Sequence, residues 1–128
     1  MCLSKVIKKY PKRDKTEGFG WKVVSINDND TFRFTFFHNS KSNRYNQWLR
    51  RVINKVNDFC TVEYDSGFHI FKTRKDARTY KGTFSDEKIV KVQYKGIVCE
   101  GFQEDYNANT KKITQLRCLV VKQIKVLK

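Results

Sequence analysis

The sequence predicts an α+β domain, a mostly antiparallel sheet of about five to six strands with two helices packed on it. Three observations predict it. "WKVVSI" and "TFRFTFFH" flank the turn-forming "NDND", residues 42–56 carry apolar side chains at helical spacing, and most of residues 88–127 alternates like half-buried or central strands. With 128 residues, six glycines, one proline and 14% aromatic residues, the chain has the length and composition of one folded domain.

Residues 1–17, "MCLSKVIKKYPKRDKTE", hold six basic and two acidic side chains around the single proline and read as a basic N-terminal arm. A single α+β domain is expected over 18–128. In the first hairpin Phe32, Phe34 and Phe36 share one face and Thr31, Arg33 and Thr35 the other. Tyr45, Trp48, Leu49, Val52, Ile53 and Val56 then form the stripe of an amphipathic helix, with Ser42 or Asn43 as its cap. Arg44, Gln47, Arg50, Arg51, Asn54 and Lys55 lie opposite, so that helix presents a basic surface.

"FCTVEYDSGFHIF" reads as short strands broken at "DSG", where Gly67 is expected to supply a positive backbone angle. A second, short helix follows. Thr73 caps it, Asp76 favours its N-terminus, Ala77 and Tyr80 face inward, Gly82 stops it, and Lys72, Arg74, Lys75, Arg78 and Lys81 stay largely free. "KIVKVQYK" places Val90, Val92 and Tyr94 inward, and the phase breaks at Lys95-Gly96, which predicts a bulge or tight bend. "QEDYNANTKK" reads as a polar loop. "ITQLRCLVVKQIKVL" reads as a long central strand, bent near Lys122, with Leu116, Cys118, Val120, Ile124 and Val126 in one phase.

Lys and Arg total 27 and Asp and Glu 13, a net charge of 27 − 13 = +14. Such a field attracts polyanions, although lysines also solubilise an aromatic-rich surface. Arg44, Arg50, Arg51, Lys55, Lys72, Arg74, Lys75, Arg78, Arg117 and Lys122 are the expected phosphate contacts, provided folding gathers them. Phe68, His69, Phe71 and Tyr80 are candidates for base stacking or a nucleotide pocket. The four cysteines, Cys2, Cys60, Cys99 and Cys118, form no C-x-x-C pair and have only two histidines beside them, so no metal and no cofactor is expected. Free thiols point to a reducing, cytoplasmic setting, and no apolar run approaches membrane-spanning length. His69 and Ser66, three apart on a strand, project to opposite faces, which disfavours a nucleophile–base pair. No phosphate-cradling G-x-x-x-x-G-K or G-x-G-x-x-G loop occurs.

"EGFGWKVV", residues 17–24, resembles the strand motif of RNA-recognition and cold-shock domains up to Trp21, then departs from it. Glu17 stands where that motif has a basic residue and Lys22 where it has an apolar one, so the hairpin's aromatics are expected in the core. Gly67, Phe68, His69, Phe71, Asp76, Ala77, Val90 and Val92 carry a second resemblance, to small uncharacterised proteins of tailed phages and prophages. It implies a non-catalytic binder in an infected or lysogenic host cell, of anti-CRISPR or other anti-defence type. Its partner would be nucleic acid or a nucleoprotein complex. A sponge that sequesters a nucleotide or cyclic-nucleotide messenger is the alternative. The same region resembles the strand and short helix of ADP-ribosyltransferases, but their catalytic residues find no counterpart, so an enzyme ranks last. Self-association is also expected, since long apolar strands need covered edges.

Overall fold

The computed structural model describes residues 3–27, 29–34, 42–50, 55–56, 64–65, 67–81 and 87–128. In chain order its elements are β1 (Lys5–Lys9), β2 (Glu17–Ile26), β3 (Thr31–Phe34), β4 (Asn43–Arg44), β5 (Trp48–Arg50), β6 (Lys55–Val56), β7 (Tyr64–Asp65), β8 (Phe68–Phe71), α1 (Arg74–Lys81), β9 (Glu87–Asn107) and β10 (Lys112–Val126). Eight strands join one antiparallel sheet, while β6 and β7 pair separately. The fold is therefore β-rich with one short helix among the described residues. The expected α+β architecture with two packed helices is corrected.

The missing helix is instructive. Where helical spacing predicted a helix over 42–56, the chain forms β4, β5 and β6, and residues 51–54 lie outside the described residues. Asn46 takes a left-handed angle, φ 62°, and its N–H donates to the Val126 carbonyl at 2.8 Å. Trp48, Leu49 and Arg50 then pair with Lys125, Ile124 and Gln123, completing the free side of β10. Asparagines and β-branched residues are poor helix formers, and ladder bonds to a waiting edge outweigh a weak helical preference.

β9 organises the rest. Its first half pairs with β2, from Glu17↔Lys95 to Ser25↔Glu87, its second half with β1, and its length with β10. β10 passes the ladder to β8 through Cys118↔Phe71 to Val121↔Phe68, and β8 meets β2 again at Trp21↔Phe71. β2, β9, β10 and β8 thus close a ring of pairing. Closure leaves fewer open edges. Lys5–Lys9, expected in a basic arm, forms a strand at the sheet's edge.

Alternation sorts the apolar residues to two sides. Val24, Phe32, Phe68, Ile70, Val90, Val92, Tyr94, Ile97, Leu119, Val121, Ile124 and Val126 form one buried cluster inside the ring. Leu3, Val23, Phe71, Ala77, Val98, Cys99, Leu116, Cys118 and Val120 form a second on the outward side. α1 lies over this second cluster, contributing Ala77 and the half-buried Tyr80. The sequence phase of Leu116, Cys118, Val120, Ile124 and Val126 is consequently split. The first three face α1, the last two the interior.

The split occurs where Lys95-Gly96 breaks the pattern. Gly96 has φ 78°, and the β10 register shifts between Val120↔Cys99 and Val121↔Ile97, leaving Val98 as the extra residue. The Gly96 N–H donates to the Thr16 carbonyl at 2.8 Å, and the Ile97 N–H to Asp14 Oδ2 at 2.7 Å. The turn at 14–16 thus satisfies the donors released by the bend. Lys122 clamps the same turn, with its ammonium donating to the carbonyls of Lys12 and Asp14.

Two further expectations change. Gly67 is not among the glycines with positive φ; a Cβ there would sit 2.6 Å from the Val121 carbonyl oxygen, so close approach to β10 requires it. Residues 103–107 and 112 belong to strands rather than to a loop, and the turn is confined to 108–111. The exposed Tyr106 and Ile113 face each other across that ribbon. Thr73 caps α1 as expected, its Oγ1 accepting the Asp76 N–H at 3.2 Å. Gly82 and Phe36 lie outside the described residues.

Replacing Gly96 by alanine forces a left-handed angle on an L side chain and places its Cβ 2.7 Å from Lys122 Cδ. The expected cost is about 1–2 kcal/mol, seen as a drop in melting temperature of roughly 4–8 °C. An unchanged melting curve would remove the structural role given to the bend.

Candidate functional site

Cross-strand neighbours point to one side of a sheet, so the register defines what the outward face of β2, β9, β10 and β5 displays. One transverse row reads Phe19, Gln93, Lys125 and Trp48. The row beside it reads Glu17, Lys95, Gln123 and Arg50, and on the other side Trp21 stands opposite Lys91. Phe19 is 57% exposed and Trp48 40%, both unusually open for large apolar residues.

Each ring on this face carries a cation. The Lys91 ammonium lies 4.8 Å from the Phe19 ring centre, and the Lys125 ammonium 4.8 Å from that of Trp48. The Arg74 guanidinium, reaching over from α1, lies 5.5 Å from that of Trp21. At exposed positions such contacts contribute about 0.5–1 kcal/mol each. They hide aromatic surface without burying it. The acidic residues of these rows are Glu17, 4.0 Å from Lys95, and Glu87 at the far end opposite Ser25.

The cations expected as one patch are dispersed. Arg50 and Arg74 belong to the face just described, Arg44 lies exposed in β4, and Lys75 and Arg78 are exposed on α1. Lys122 holds the 12–14 turn. Arg51 lies outside the described residues, and Lys55 is placed in β6 by its backbone. Lys72 and Arg117 converge elsewhere, on Glu100. Lys72 Nζ donates to Glu100 Oε1 at 2.8 Å and Arg117 Nε to the same oxygen at 2.9 Å. Glu100 is 6% exposed. Burial opposes its ionisation, but the hydrogen bonds and charges of Lys72 and Arg117 outweigh that and hold its carboxyl below the usual range. Asp76 links α1 to the same strand by accepting the Arg117 N–H at 3.1 Å.

Phe68 and Phe71 are not available for stacking. They are 5% and 1% exposed and fill the two clusters on either side of β8. Tyr80 packs on Phe71 with ring centres 5.2 Å apart. His69 is half-buried opposite Val120, and its carbonyl accepts a 2.7 Å hydrogen bond from the buried Lys22 ammonium. A nucleotide pocket at 68–80 therefore loses its two phenylalanine rings. Cys118 is fully buried, and desolvation, with the Asp76 charge adding to it, pushes its thiol up to about 12. It is no nucleophile at neutral pH. Among the described residues no group of three His, Cys, Asp or Glu side chains could hold a metal ion, and no helix is long and apolar enough to cross a membrane.

Phe19, Trp21, Trp48, Lys91, Lys95 and Lys125 are not among the site residues expected from sequence, where Trp48 reads as part of a buried helical stripe. The "GFGW" motif did carry a signal for the first two. Its aromatics were assigned to the core, whereas Phe19 is exposed and Trp21 lies at the margin of the outer cluster. No protein-family model, no curated protein and no solved structure matches the chain.

Two measurements check this electrostatic description. The folded carboxyls of Asp14 and Glu100 sit below their ordinary values of 3.8 and 4.5. For Asp14 burial again acts upward, and the Ile97 N–H, the Thr16 bonds and Lys122 outweigh it. The unfolded chain therefore takes up protons first, so their stabilisation is complete above about pH 5 and is lost as pH falls through the folded values. Glu100→Gln should flatten that acid limb and cost about 1–2 kcal/mol, less than a fully buried pair because Lys72 and Arg117 can rehydrate. Separately, iodoacetamide at pH 8 should leave Cys99 and Cys118 unmodified in the folded protein and label both in urea, read by mass spectrometry.

Proposed function

We propose that the chain is a non-catalytic nucleic-acid-binding protein, and that the outward face of β2, β9, β10 and β5 is its contact surface. The observation that carries this reading is the row Phe19, Gln93, Lys125, Trp48, in which two exposed rings flank an amide and an ammonium on one sheet face, each ring with a lysine ammonium over it. Arg50, Arg74, Lys91, Lys95 and Lys125 supply five cations against Glu17 and Glu87, within a chain of net charge +14. Guanidinium groups offer forked donors to phosphate and ammonium groups a diffuse attraction. Amide donors on Gln93 and Gln123 add neutral hydrogen bonds between the charges.

No constellation for chemistry accompanies this face. Its titratable members are cations with Glu17 and Glu87, no thiol or histidine lies in the rows, and the buried Cys118 is protonated. The phage setting that residues 67–92 imply belongs to the same proposal. Nucleic acid, or a nucleoprotein complex of host defence, presents the phosphate chain such a face would engage.

Salt dependence tests the reading. Five phosphate contacts give a slope of log affinity against log salt of about −0.7 × 5 = −3.5 for single strands. Fluorescence anisotropy should show affinity falling roughly a hundredfold between 50 and 200 mM salt. Lys95→Ala should make the slope shallower by about 0.7. A flat salt response, or no binding at 50 mM salt, would sink the proposal.

A further inference from the structure

We propose that Phe19 and Trp48 are stacking platforms for unpaired bases, and that Lys91 and Lys125 are displaceable covers that move from ring to phosphate when a base arrives. The inference rests on the nucleic-acid reading above and narrows its ligand to single-stranded nucleic acid.

Three observations carry it. Phe19 and Trp48 are large aromatic side chains left open at the two ends of the row that crosses β2, β9, β10 and β5, 57% and 40% exposed. They occupy one transverse row, separated by Gln93 and Lys125, so one ligand can cross both. Each is covered at 4.8 Å by the terminal ammonium of a flexible lysine, a cover that water and a ligand can both replace.

Magnitudes favour the exchange. An exposed ammonium–ring contact is worth about a two- to fivefold factor in an equilibrium constant. A base stacked on an aromatic ring is worth roughly five- to a hundredfold or more. The released lysine is not lost, because the phosphate of the incoming nucleotide lies within its reach and adds a charge contact. Exchange therefore gains on both counts.

Geometry selects single strands over duplex. The row spans three strand spacings, roughly 14 Å along the sheet. The major groove of B-DNA is about 12 Å wide and admits one helix or a two-stranded ribbon. A four-strand face cannot descend to base edges there, and duplex bases are already stacked on each other. On a duplex the rings would meet only the backbone. Unpaired bases can splay out and lie flat on the rings.

The test uses the full-length chain with a fluorescein-labelled mixed-sequence twelve-nucleotide strand, as DNA and as RNA, and with the same sequence as a duplex. The wild type should bind either single strand at least about tenfold tighter than its duplex. Phe19→Leu and Trp48→Leu should each weaken single-strand binding roughly tenfold, leaving duplex binding and the salt slope unchanged. Trp48→Phe, which keeps a ring, should stay within about threefold of the wild type. Leucine variants that fold and bind single strands as the wild type does would overturn the stacking role, as would equal affinity for duplex. In both cases the salt-dependent binding would persist and the broader reading would stand. Absence of binding to every probe would overturn both. Should the leucine variants not fold, tryptophan emission of the wild type reads the same contact: quenching by unlabelled single strands but not by duplex supports stacking, and its absence overturns it.

Discussion

The fold depends on one strand serving two ladders on one side. β9 runs for 21 residues, and opposite β10 it pairs first with β2 and then with β1. A straight strand of that length could not feed both and still close a ring. The left-handed Gly96 and the extra residue Val98 bend it, and the 14–16 turn takes up the amides that the bend releases. Hydrogen bonding is thereby conserved through the distortion. A bend with orphaned N–H groups would be expensive, whereas this one stabilises by tying the N-terminal segment to the middle of the sheet.

From that bend follows the division of surface. Residues before it place Val90, Val92 and Tyr94 inside the ring and Lys91, Gln93 and Lys95 outside. Residues after it put Val98 and Cys99 beneath α1 and Leu3. The outward face is therefore covered by apolar packing at one end and left open at the other. Glu100, next in sequence, lies on the other, inner side of the sheet. It lies opposite Leu119 and joins Lys72, at the entrance to α1, with Arg117 on β10. Lys72 and Arg117 thus act first as partners of a buried carboxylate, which separates them from the cations of the open end.

Sequence patterns with a period of two were readable because each such strand has one wet and one dry face. The β2–β3 hairpin, the β9 alternation, its break at Gly96 and the long final strand were all expected and are present. The pattern over 42–56 misled for a physical reason. Tyr45 and Leu49, four apart, both pack on the interior cluster, which mimics a helical stripe, but a left-handed Asn46 lies between them. What placed Trp48–Arg50 in a strand is the free side of β10, a partner about 75 residues away that no local window contains. The site was hidden likewise. Phe19 and Trp48 become neighbours of one row only through three successive pairings, and an aromatic residue in a strand reads as core unless its partners are known.

An open sheet face with aromatic rings is a liability in a β protein, because it invites self-association. Here the same residues that would attract a phosphate chain limit that risk. Lys91, Lys125 and Arg74 cover the rings, and a net charge of +14 makes two copies repel when their faces approach. A neutral or cationic surface gains little by displacing those covers, since each ammonium would leave its ring without finding a counter-charge. A polyanion carrying planar bases supplies both a replacement for the ring contact and a counter-charge for the lysine. On the proposed reading, selectivity would therefore reside in the pairing of ring with cation rather than in either alone. Cations dispersed over a sphere attract any anion weakly, but cations placed on rings favour the ligand that satisfies both.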